Sequence, residues 1–311
     1  MTEATGATAR FALDGELDLE ASLRLLPLGP LDPTFAREAG GLWLATHTPE
    51  GPATLRLRVG DGALLARAWG PGAEWALRET PAFAGLGWSP PPLPEGASRP
   101  ARVEALLARA PGLRPMRVFS VVDLAVRVVL QQRVTFADAS SAWRGLVRRH
   151  GAPAPGPPRR IPAGLRLSPS ARTLARLRYF DLHPLGVERR RAETLRQLTR
   201  RARRVEECRA LPLAEAKARL RRLPGLGPWS VEMIAALGLG DADAVPLGDY
   251  HLPHLVGWAL AGEARADDAR MIQLLAPWAG QRFRVLRVLE AAHEGPPRRG
   301  PRMPRMHWTR R

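Results

Sequence analysis

The segment LPGLGPWS, Leu223 to Ser230, places two glycines and two prolines within eight residues. An arginine-rich segment of helical character precedes it, and the nearly continuous apolar segment WSVEMIAAL overlaps its end. Residues 213–239 are therefore expected to form a helix, a tight turn and a second helix. A plain connection between two helices needs one glycine at most, so the other glycine and the prolines require a separate explanation.

The predicted turn offers backbone amides with few side chains around them. Gly225 and Gly227 can adopt positive φ and allow another backbone to approach closely. Pro228 suits the first position of the second helix, where its missing N–H costs nothing. The free amides at that helix start, with the positive end of the helix dipole, favour a bound phosphate. The same residues are also compatible with a helical hairpin whose glycines only permit tight packing.

A carboxylate follows twenty residues beyond Trp229. Asp249, in VPLGDYHL, comes after a bend and before a predicted helix, which is typical of an N-cap. A carboxylate at a helix start that faces a cleft also keeps its charge at neutral pH and is available for chemistry. Both interpretations stay open on spacing alone, and Asp243 is the main rival for a catalytic role.

Charge is distributed unevenly along the 311 residues. Residues 1–100 contain 8 arginines and 12 acidic residues, a net charge of −4, whereas residues 101–311 contain 39 basic and 18 acidic residues, a net charge of +21. A local basic excess of this size is typical of a polyanion binder. A bias toward arginine codons accounts for Lys217 being the only lysine, but it does not account for the asymmetry.

The periodicity of the sequence changes near residue 100. LWLATH, ATLRLRVG and ALLARAWG have period-2 stretches between turn signals, which predicts an antiparallel sheet. The proline-rich segment 89–100 is a predicted domain boundary, and 101–294 are predicted to be mainly helical, with a surface loop at 151–164. The fold class is therefore α+β, with an N-terminal α/β domain (1–100) and a helical core (101–294). Residues 295–311 form a basic Pro/Arg-rich tail.

Several classes of protein are excluded by composition. No apolar run approaches the roughly 20 residues of a membrane span, and the N-terminus lacks the order of a signal peptide, so we expect a cytoplasmic protein. Cys208 is the only cysteine, which excludes an internal disulfide, a four-cysteine zinc site and an iron–sulfur cluster. His251 and His254 have no third ligand candidate nearby, so no catalytic metal is predicted.

LPGLGPWS followed by VPLGD resembles the loop and the catalytic aspartate of the helix-hairpin-helix (HhH-GPD) DNA glycosylase superfamily. The most similar branch is the bacterial 3-methyladenine DNA glycosylase II family. RVFSVVDLAVRVVLQQRVT resembles its first core helix and glutamine-bearing turn, DLHPLGVERRRAETLRQLT its segment before the hairpin, and LLAPWAGQRFRVLRVL its closing helix. The resemblance covers about residues 100–293.

The resemblance implies a DNA N-glycosylase that flips an alkylated base, of the 3-methyladenine or 7-methylguanine type, out of double-stranded DNA in base excision repair. Asp249 would assist hydrolysis of the N-glycosidic bond. Bifunctional members carry a lysine where this chain has Trp229, so the resemblance implies a monofunctional enzyme without AP-lyase activity. It also implies a nucleoid-associated monomer that needs no cofactor, except a monovalent cation at the hairpin.

The resemblance also implies which residues form the site. The phosphate-binding hairpin would consist of Leu223, Gly225, Gly227, Pro228, Trp229 and Ser230. The base pocket would contain Trp229, Tyr250, Gln132 and Met233, where Met233 replaces an aromatic residue of some members. Arg133 stands where the family has an apolar wedge. Glycosylase action on 8-oxoguanine, uracil or hypoxanthine is an alternative, as is a non-catalytic helix-hairpin-helix DNA-binding protein.

Overall fold

The computed structural model describes residues 6–38, 40–292 and 295–296. The predicted basic tail therefore lies outside the described residues from 297 onward. The described chain has an α+β architecture, as predicted, with an antiparallel sheet in its first part and helices in the remainder.

The first part of the chain forms a five-stranded antiparallel sheet with two helices. The elements are β1 (Ala7–Ala12), α1 (Leu19–Leu23), β2 (Phe35–Glu38), β3 (Gly41–Thr48), β4 (Gly51–Gly60), β5 (Ala63–Trp69) and α2 (Ala73–Phe83). The strand order is β1-β5-β4-β3-β2. The three segments with period-2 alternation are β3, β4 and β5. Along β4, Leu55 and Leu57 are fully buried on one face of the sheet. Arg58, which alternates with them and lies on the other face, is exposed.

The second face of the sheet is covered by chain from beyond α2. Trp43 and Trp69 stack on this face with ring centroids 5.4 Å apart, and Leu167 packs against them. Residues 151–164 are predicted as a surface loop, and most of them are exposed, but Ala154 and Ile161 pack against this face. Two short antiparallel strands hold it, β6 (Ala152–Pro153) and β7 (Arg166–Leu167). Proline and glycine indicate irregular backbone, but they do not reveal where apolar side chains dock.

The remainder of the described chain is helical. The helices are α3 (Ala101–Ala108), α4 (Val121–Leu130), α5 (Phe136–His150), α6 (Ala171–Arg176), α7 (Tyr179–Leu182), α8 (Arg189–Arg200), α9 (Ala202–Glu206), α10 (Leu213–Arg221), α11 (Pro228–Gly238), α12 (Leu252–Ala261), α13 (Asp268–Leu275) and α14 (Arg282–Ala291). Across the part of the chain that the structure describes, none of these helices has the length and apolar character that a membrane crossing requires.

Helix α4 lies at the centre of the helical part, and all ten of its residues are buried. It packs against α8 and α11. Its N-terminus is held by Glu206, whose carboxylate accepts hydrogen bonds from the backbone amides of Val121 (2.8 Å) and Val122 (3.1 Å) and from the Ser120 hydroxyl (2.6 Å). Burial raises the pKa of Glu206. One end of α4 is thus fixed by a buried cap, and the opposite end carries the turn that begins at Gln131.

The two parts of the chain share one hydrophobic core. Buried side chains from one face of the sheet and from the helices form one continuous cluster, although 89–100 contains neither helix nor strand. Polar contacts also cross between the parts: the Trp143 indole donates to Asp32 (2.8 Å), and the Arg287 guanidinium donates to the carbonyl of Ala21 (2.6 Å). The domain boundary at 89–100 stays a prediction, because the core runs across it.

Candidate active site

The hairpin connects α10 to α11 and is anchored by two leucines. Leu223 and Leu226 are both buried, and the amide of Leu226 donates to the carbonyl of Leu223 (3.1 Å). These side chains hold the turn on the core while the residues between and after them reach the surface: Pro224, Gly225, Gly227 and Pro228 are all exposed. In this alternating pattern, the leucines anchor the turn on the core and the glycines leave its backbone exposed.

The two glycines of the hairpin differ in what they permit. Gly225 has φ 88°, and a Cβ built on it would lie 2.1 Å from the Thr194 Oγ1 of α8, so both backbone conformation and packing require glycine. Gly227 has φ −83°, and a Cβ there would meet no atom within 4 Å. Packing explains Gly225. It does not explain Gly227, whose missing side chain leaves open space over the start of α11.

Helix α11 begins at this open space without a side-chain cap. Gly227 is its N-cap and Pro228 its first residue, and no side chain of the described chain bonds to the amides of its first turn. Those N–H groups have no partners inside the helix and carry the positive end of its dipole. An exposed, uncapped helix start with no Cβ in front of it has the geometry of an anion site.

The Asp249 carboxylate is held by three hydrogen bonds. Its Oδ1 accepts from the backbone amides of His251 (2.7 Å) and Leu252 (3.0 Å), and its Oδ2 accepts from the Trp229 indole (2.9 Å). The carboxylate thus caps the start of α12 and also joins α12 to the first turn of α11. Capping does not exclude catalysis, because Oδ1 accepts both amide bonds while Oδ2 accepts only one hydrogen bond and keeps a free lone pair.

The rival carboxylate, Asp243, is held by Arg282 and by two backbone amides. It pairs with the Arg282 guanidinium, through both of its oxygens, and accepts from the backbone amides of Gly280 (2.7 Å) and Arg282 (3.2 Å). Burial alone would raise the pKa of Asp243, but the hydrogen bonds from Arg282 and from these amides outweigh burial and lower it. Asp243 therefore secures the start of α14, and its carboxylate is paired with Arg282.

Two of the predicted pocket residues, Trp229 and Tyr250, lie next to Asp249, and a third, Met233, shares a helix face with Trp229. Trp229 and Met233 are four residues apart on α11, hence on one face of the helix, and both are half-buried. Tyr250 is 79% exposed, and its ring stands edge-on to His251 and His254. His254 accepts from the amide of Ala266 (3.2 Å). Among the described residues, no group of His, Cys, Asp and Glu side chains has the geometry to hold a metal ion.

The turn after α4 carries the remaining two predicted residues. The Gln132 side-chain amide donates to the Gly225 carbonyl (2.9 Å) and to the Ser230 hydroxyl (2.9 Å). Its amide is thus bonded to the hairpin, and its place in the base pocket stays a prediction. Arg133 is exposed and has φ 56°, a left-handed conformation that costs a non-glycine residue on the order of 1 kcal/mol.

Lys217, the only lysine, is confined by two carboxylates. Its ammonium lies 2.6 Å from Glu232 and 2.5 Å from Asp241. Burial alone would lower the pKa of Lys217, but the hydrogen bonds to Asp241 and Glu232 outweigh burial and raise it. The amine is therefore a protonated cation that links α10, α11 and the loop beyond α11. The sequence carries no sign of this pairing, because the partners lie on different elements.

Two carbonyl oxygens of the hairpin, which a monovalent cation there could use as ligands, already accept hydrogen bonds. Those of Leu223 and Gly225 each already accept a hydrogen bond, from Leu226 and Gln132. Each keeps a second lone pair, so the cation at the hairpin stays a prediction.

Asp243→Asn is expected to lower the free energy of unfolding at pH 7 by about 2 kcal/mol, because it breaks a charge-assisted hydrogen-bond network. A folded-state pKa below the unfolded value stabilises the fold above about pH 4, and this contribution is lost as pH falls through the folded pKa. The difference between wild type and variant in urea unfolding should therefore shrink between pH 5 and pH 3. A constant difference across that range would contradict the assignment.

Comparison with known proteins places this geometry in a family. A model described as the HhH-GPD superfamily base excision DNA repair protein matches residues 126–279. Over 154 residues, 48% of this chain, the sequence is 34% identical to a probable bifunctional transcriptional activator/DNA repair enzyme AlkA of Mycobacterium tuberculosis. The chain spans only 29% of the length of that relative.

Solved structures share the fold over nearly the whole chain. A 3-methyladenine DNA glycosylase from Archaeoglobus fulgidus has a TM-score of 0.72 at 19% identity and covers 91% of this chain and 98% of its own. An 8-oxoguanine glycosylase/lyase from Clostridium acetobutylicum, in complex with DNA, has a TM-score of 0.66 at 12% identity, covering 94% and 97%. The matched family model identifies residues 126–279 as a domain of the HhH-GPD superfamily of base excision DNA repair proteins.

Proposed function

We propose that this protein is a monofunctional DNA N-glycosylase that removes alkylated bases from double-stranded DNA. The observation that carries the proposal is the Asp249 carboxylate, fixed by the Trp229 indole and two backbone amides. Trp229 itself belongs to the first turn of the helix whose uncapped start suits a phosphate. A phosphate anchor and an oriented carboxylate thus lie on one short stretch of structure, as cleavage next to a DNA backbone requires.

The hairpin would hold the DNA backbone. A phosphate would approach the amides at the start of α11 across the open space at Gly227, while Leu223 and Leu226 keep the turn in place. Ser230 is buried behind the turn and accepts from Gln132, so it would support the site from inside. The basic excess beyond residue 100 supports a polyanionic partner.

The pocket would receive a base flipped out of the duplex, at a cost that is smallest for damaged bases. Trp229, Met233 and Tyr250 present one indole, one polarizable thioether and one exposed phenol around Asp249. Electron-rich ring faces attract the positive charge of an N-alkylated purine. Arg133 would fill the gap left in the duplex, since a guanidinium plane can stack between bases. Gln132 would reach the same region from the turn after α4.

The chemistry is hydrolysis of the bond between C1′ and the base. As this bond breaks, its electron pair leaves with the base, and positive charge develops on the deoxyribose. The Asp249 carboxylate would stabilise that charge and accept a proton from the water that adds to C1′. An alkylated purine already carries positive charge and leaves as a neutral molecule, so no separate acid is needed. The bonds from Trp229, His251 and Leu252 would keep the carboxylate in place.

A lyase step would need a free amine close to C1′. Lys217 is protonated and held by Glu232 and Asp241. By resemblance, Trp229 occupies the position at which bifunctional members of the superfamily carry lysine. A fold shared with a glycosylase/lyase does not decide between the two reactions, because that likeness concerns the fold alone. The absence of lyase activity, action as a monomer, and a nucleoid location in the cytoplasm are parts of the proposal.

Asp249→Asn is expected to lower the single-turnover rate of base release from methylated duplex DNA by about 100-fold or more, because the amide cannot balance the positive charge on the sugar. Asparagine is a good N-cap, so the thermal unfolding midpoint should change little. Asp243→Asn is the matched control: it should lose stability and keep release within about threefold of wild type, measured well below its unfolding temperature. Equal release by wild type and Asp249→Asn would refute the catalytic role.

Gly227→Ala is expected to weaken binding to duplex DNA about tenfold, because its methyl group would occupy the approach to the first-turn amides. Its free energy of unfolding should stay near that of wild type, since the Cβ meets no neighbouring atom. Gly60→Ala is the control, because a Cβ there also meets nothing within 4 Å. Fluorescence anisotropy at fixed salt measures both, and unchanged affinity of Gly227→Ala would place the phosphate elsewhere.

Sodium borohydride should trap no covalent complex between the wild-type protein and DNA that contains an abasic site, since the structure offers no free lysine for an imine. The same preparation should release methylated bases. Gel electrophoresis measures the amount of nicked, covalently trapped DNA. The control is the lysine-free variant Lys217→Arg. More trapped product with wild type than with this control would show that the enzyme has a lyase step.

A further inference from the structure

Two segments that would contact DNA are far apart in sequence and joined by one side chain. The turn after α4 carries Arg133, and the hairpin lies about ninety residues further on. Gln132 spans between them: its single amide group donates to the carbonyl of Gly225 (2.9 Å) and to the hydroxyl of Ser230 (2.9 Å), 93 and 98 residues away. We refer to Gln132, Gly225 and Ser230 as the turn–hairpin clamp.

Helix α8 supports the clamp from behind. Arg191 is 1% exposed, and its guanidinium donates to the carbonyl of Leu130, the last residue of α4 (2.9 Å), and to that of Gly186 (2.9 Å). Thr194, three residues on, lies directly against Gly225. One helix thus touches both the base of the turn and the back of the hairpin. Displacing the turn would leave the buried Arg191 guanidinium without the Leu130 carbonyl, which is costly, and displacing the hairpin would lose the packing of Gly225 on Thr194.

The clamp lies next to a residue in a strained conformation. Arg133 keeps φ 56° although it is neither glycine nor asparagine. Such a conformation persists where surrounding contacts hold it in place. Just before Arg133, α4 ends in the Leu130 carbonyl held by Arg191, and the Gln132 side chain is fixed to the hairpin. The left-handed turn that points Arg133 to solvent is therefore maintained through Gln132.

We propose that Gln132 is a positioning residue that couples seating of the hairpin on a DNA phosphate to presentation of the Arg133 turn. The inference rests on the proposed function for its DNA substrate, and it adds a role for a side chain that resemblance places in the base pocket. Because both clamp bonds end on the hairpin, the turn keeps its register with the phosphate anchor. Gly225 and Ser230 serve as the acceptors on the hairpin side.

The test compares Gln132→Ala with Gln131→Ala. Gln131 is the matched control, because it is the same residue type in the same turn and its amide donates only to the carbonyl of Arg127 within its own helix (3.2 Å). Hydrogen–deuterium exchange is followed at 131–135 and 223–230 with undamaged duplex DNA added. In wild type and Gln131→Ala, DNA should protect both segments; in Gln132→Ala, it should protect the hairpin only.

Kinetics provide the second readout. Gln132→Ala should bind undamaged duplex within about threefold of wild type, yet release methylated bases about 10- to 100-fold more slowly at saturating enzyme, as expected when a catalytic assembly is misplaced. The loss should be the same for each methylated base tested. Ser230→Ala should slow base release by a smaller factor. The double variant should be slowed by less than the product of the two single-variant factors.

Each other outcome overturns the inference. Protection of both segments in Gln132→Ala means that the clamp does not couple them. If Gln132→Ala slows release of different methylated bases by different factors, and if its effect is additive with that of Ser230→Ala, then Gln132 contacts the base instead. Weak binding with normal release at saturation means that Gln132 only supports the hairpin. Exchange needs no base release, so absence of activity in the wild type would refute the proposed function while the exchange result still decides the coupling.

Discussion

The hydrogen bond from the Trp229 indole to the Asp249 carboxylate joins the two halves of the proposed site. Trp229 stands in the first turn of α11, immediately after the hairpin, and Asp249 stands before α12. The other carboxylate oxygen accepts from the start of α12. The carboxylate proposed to act in catalysis is therefore bonded to the same helix start that would bind the phosphate. A shift of the hairpin would move the carboxylate with it, which makes the anchor and the chemistry one rigid unit.

Arginine has two distinct roles in this chain, and only one of them bears on the proposed DNA binding. Arg114, Arg127, Arg191 and Arg287 are buried and donate to carbonyls, carboxylates or hydroxyls of neighbouring elements. Desolvation lowers the pKa of Arg287 to about 10, so it is still charged at neutral pH. Part of the basic excess beyond residue 100 is thus internal scaffolding, and the charge that faces a polyanion is smaller than the sequence total.

Local sequence signals predicted the elements that depend on local physics. The strands β3 to β5 followed from alternation, the hairpin from its glycines and prolines, and Asp249 from its place between a bend and a helix. The contacts between elements could not be predicted in this way. The acceptors of Gln132, the carboxylates around Lys217 and the docking of 151–167 on the sheet depend on how distant segments meet. Thr194 is the clearest case, since a threonine inside a helix carries no signal that a glycine of the hairpin will lie against it.

The most direct test of the account is whether Asp249 recognises positive charge on the sugar. The measurement compares dissociation constants for duplex DNA with a neutral tetrahydrofuran abasic site and with a cationic pyrrolidine at the same position. Wild type should prefer the cationic ring by about 100-fold or more, since transition-state analogues bind far more tightly than ground-state ligands. Asp249→Asn should lose most of that preference while it binds the neutral site normally. An equal preference in both proteins would contradict the account, because the carboxylate would then not face the reacting carbon.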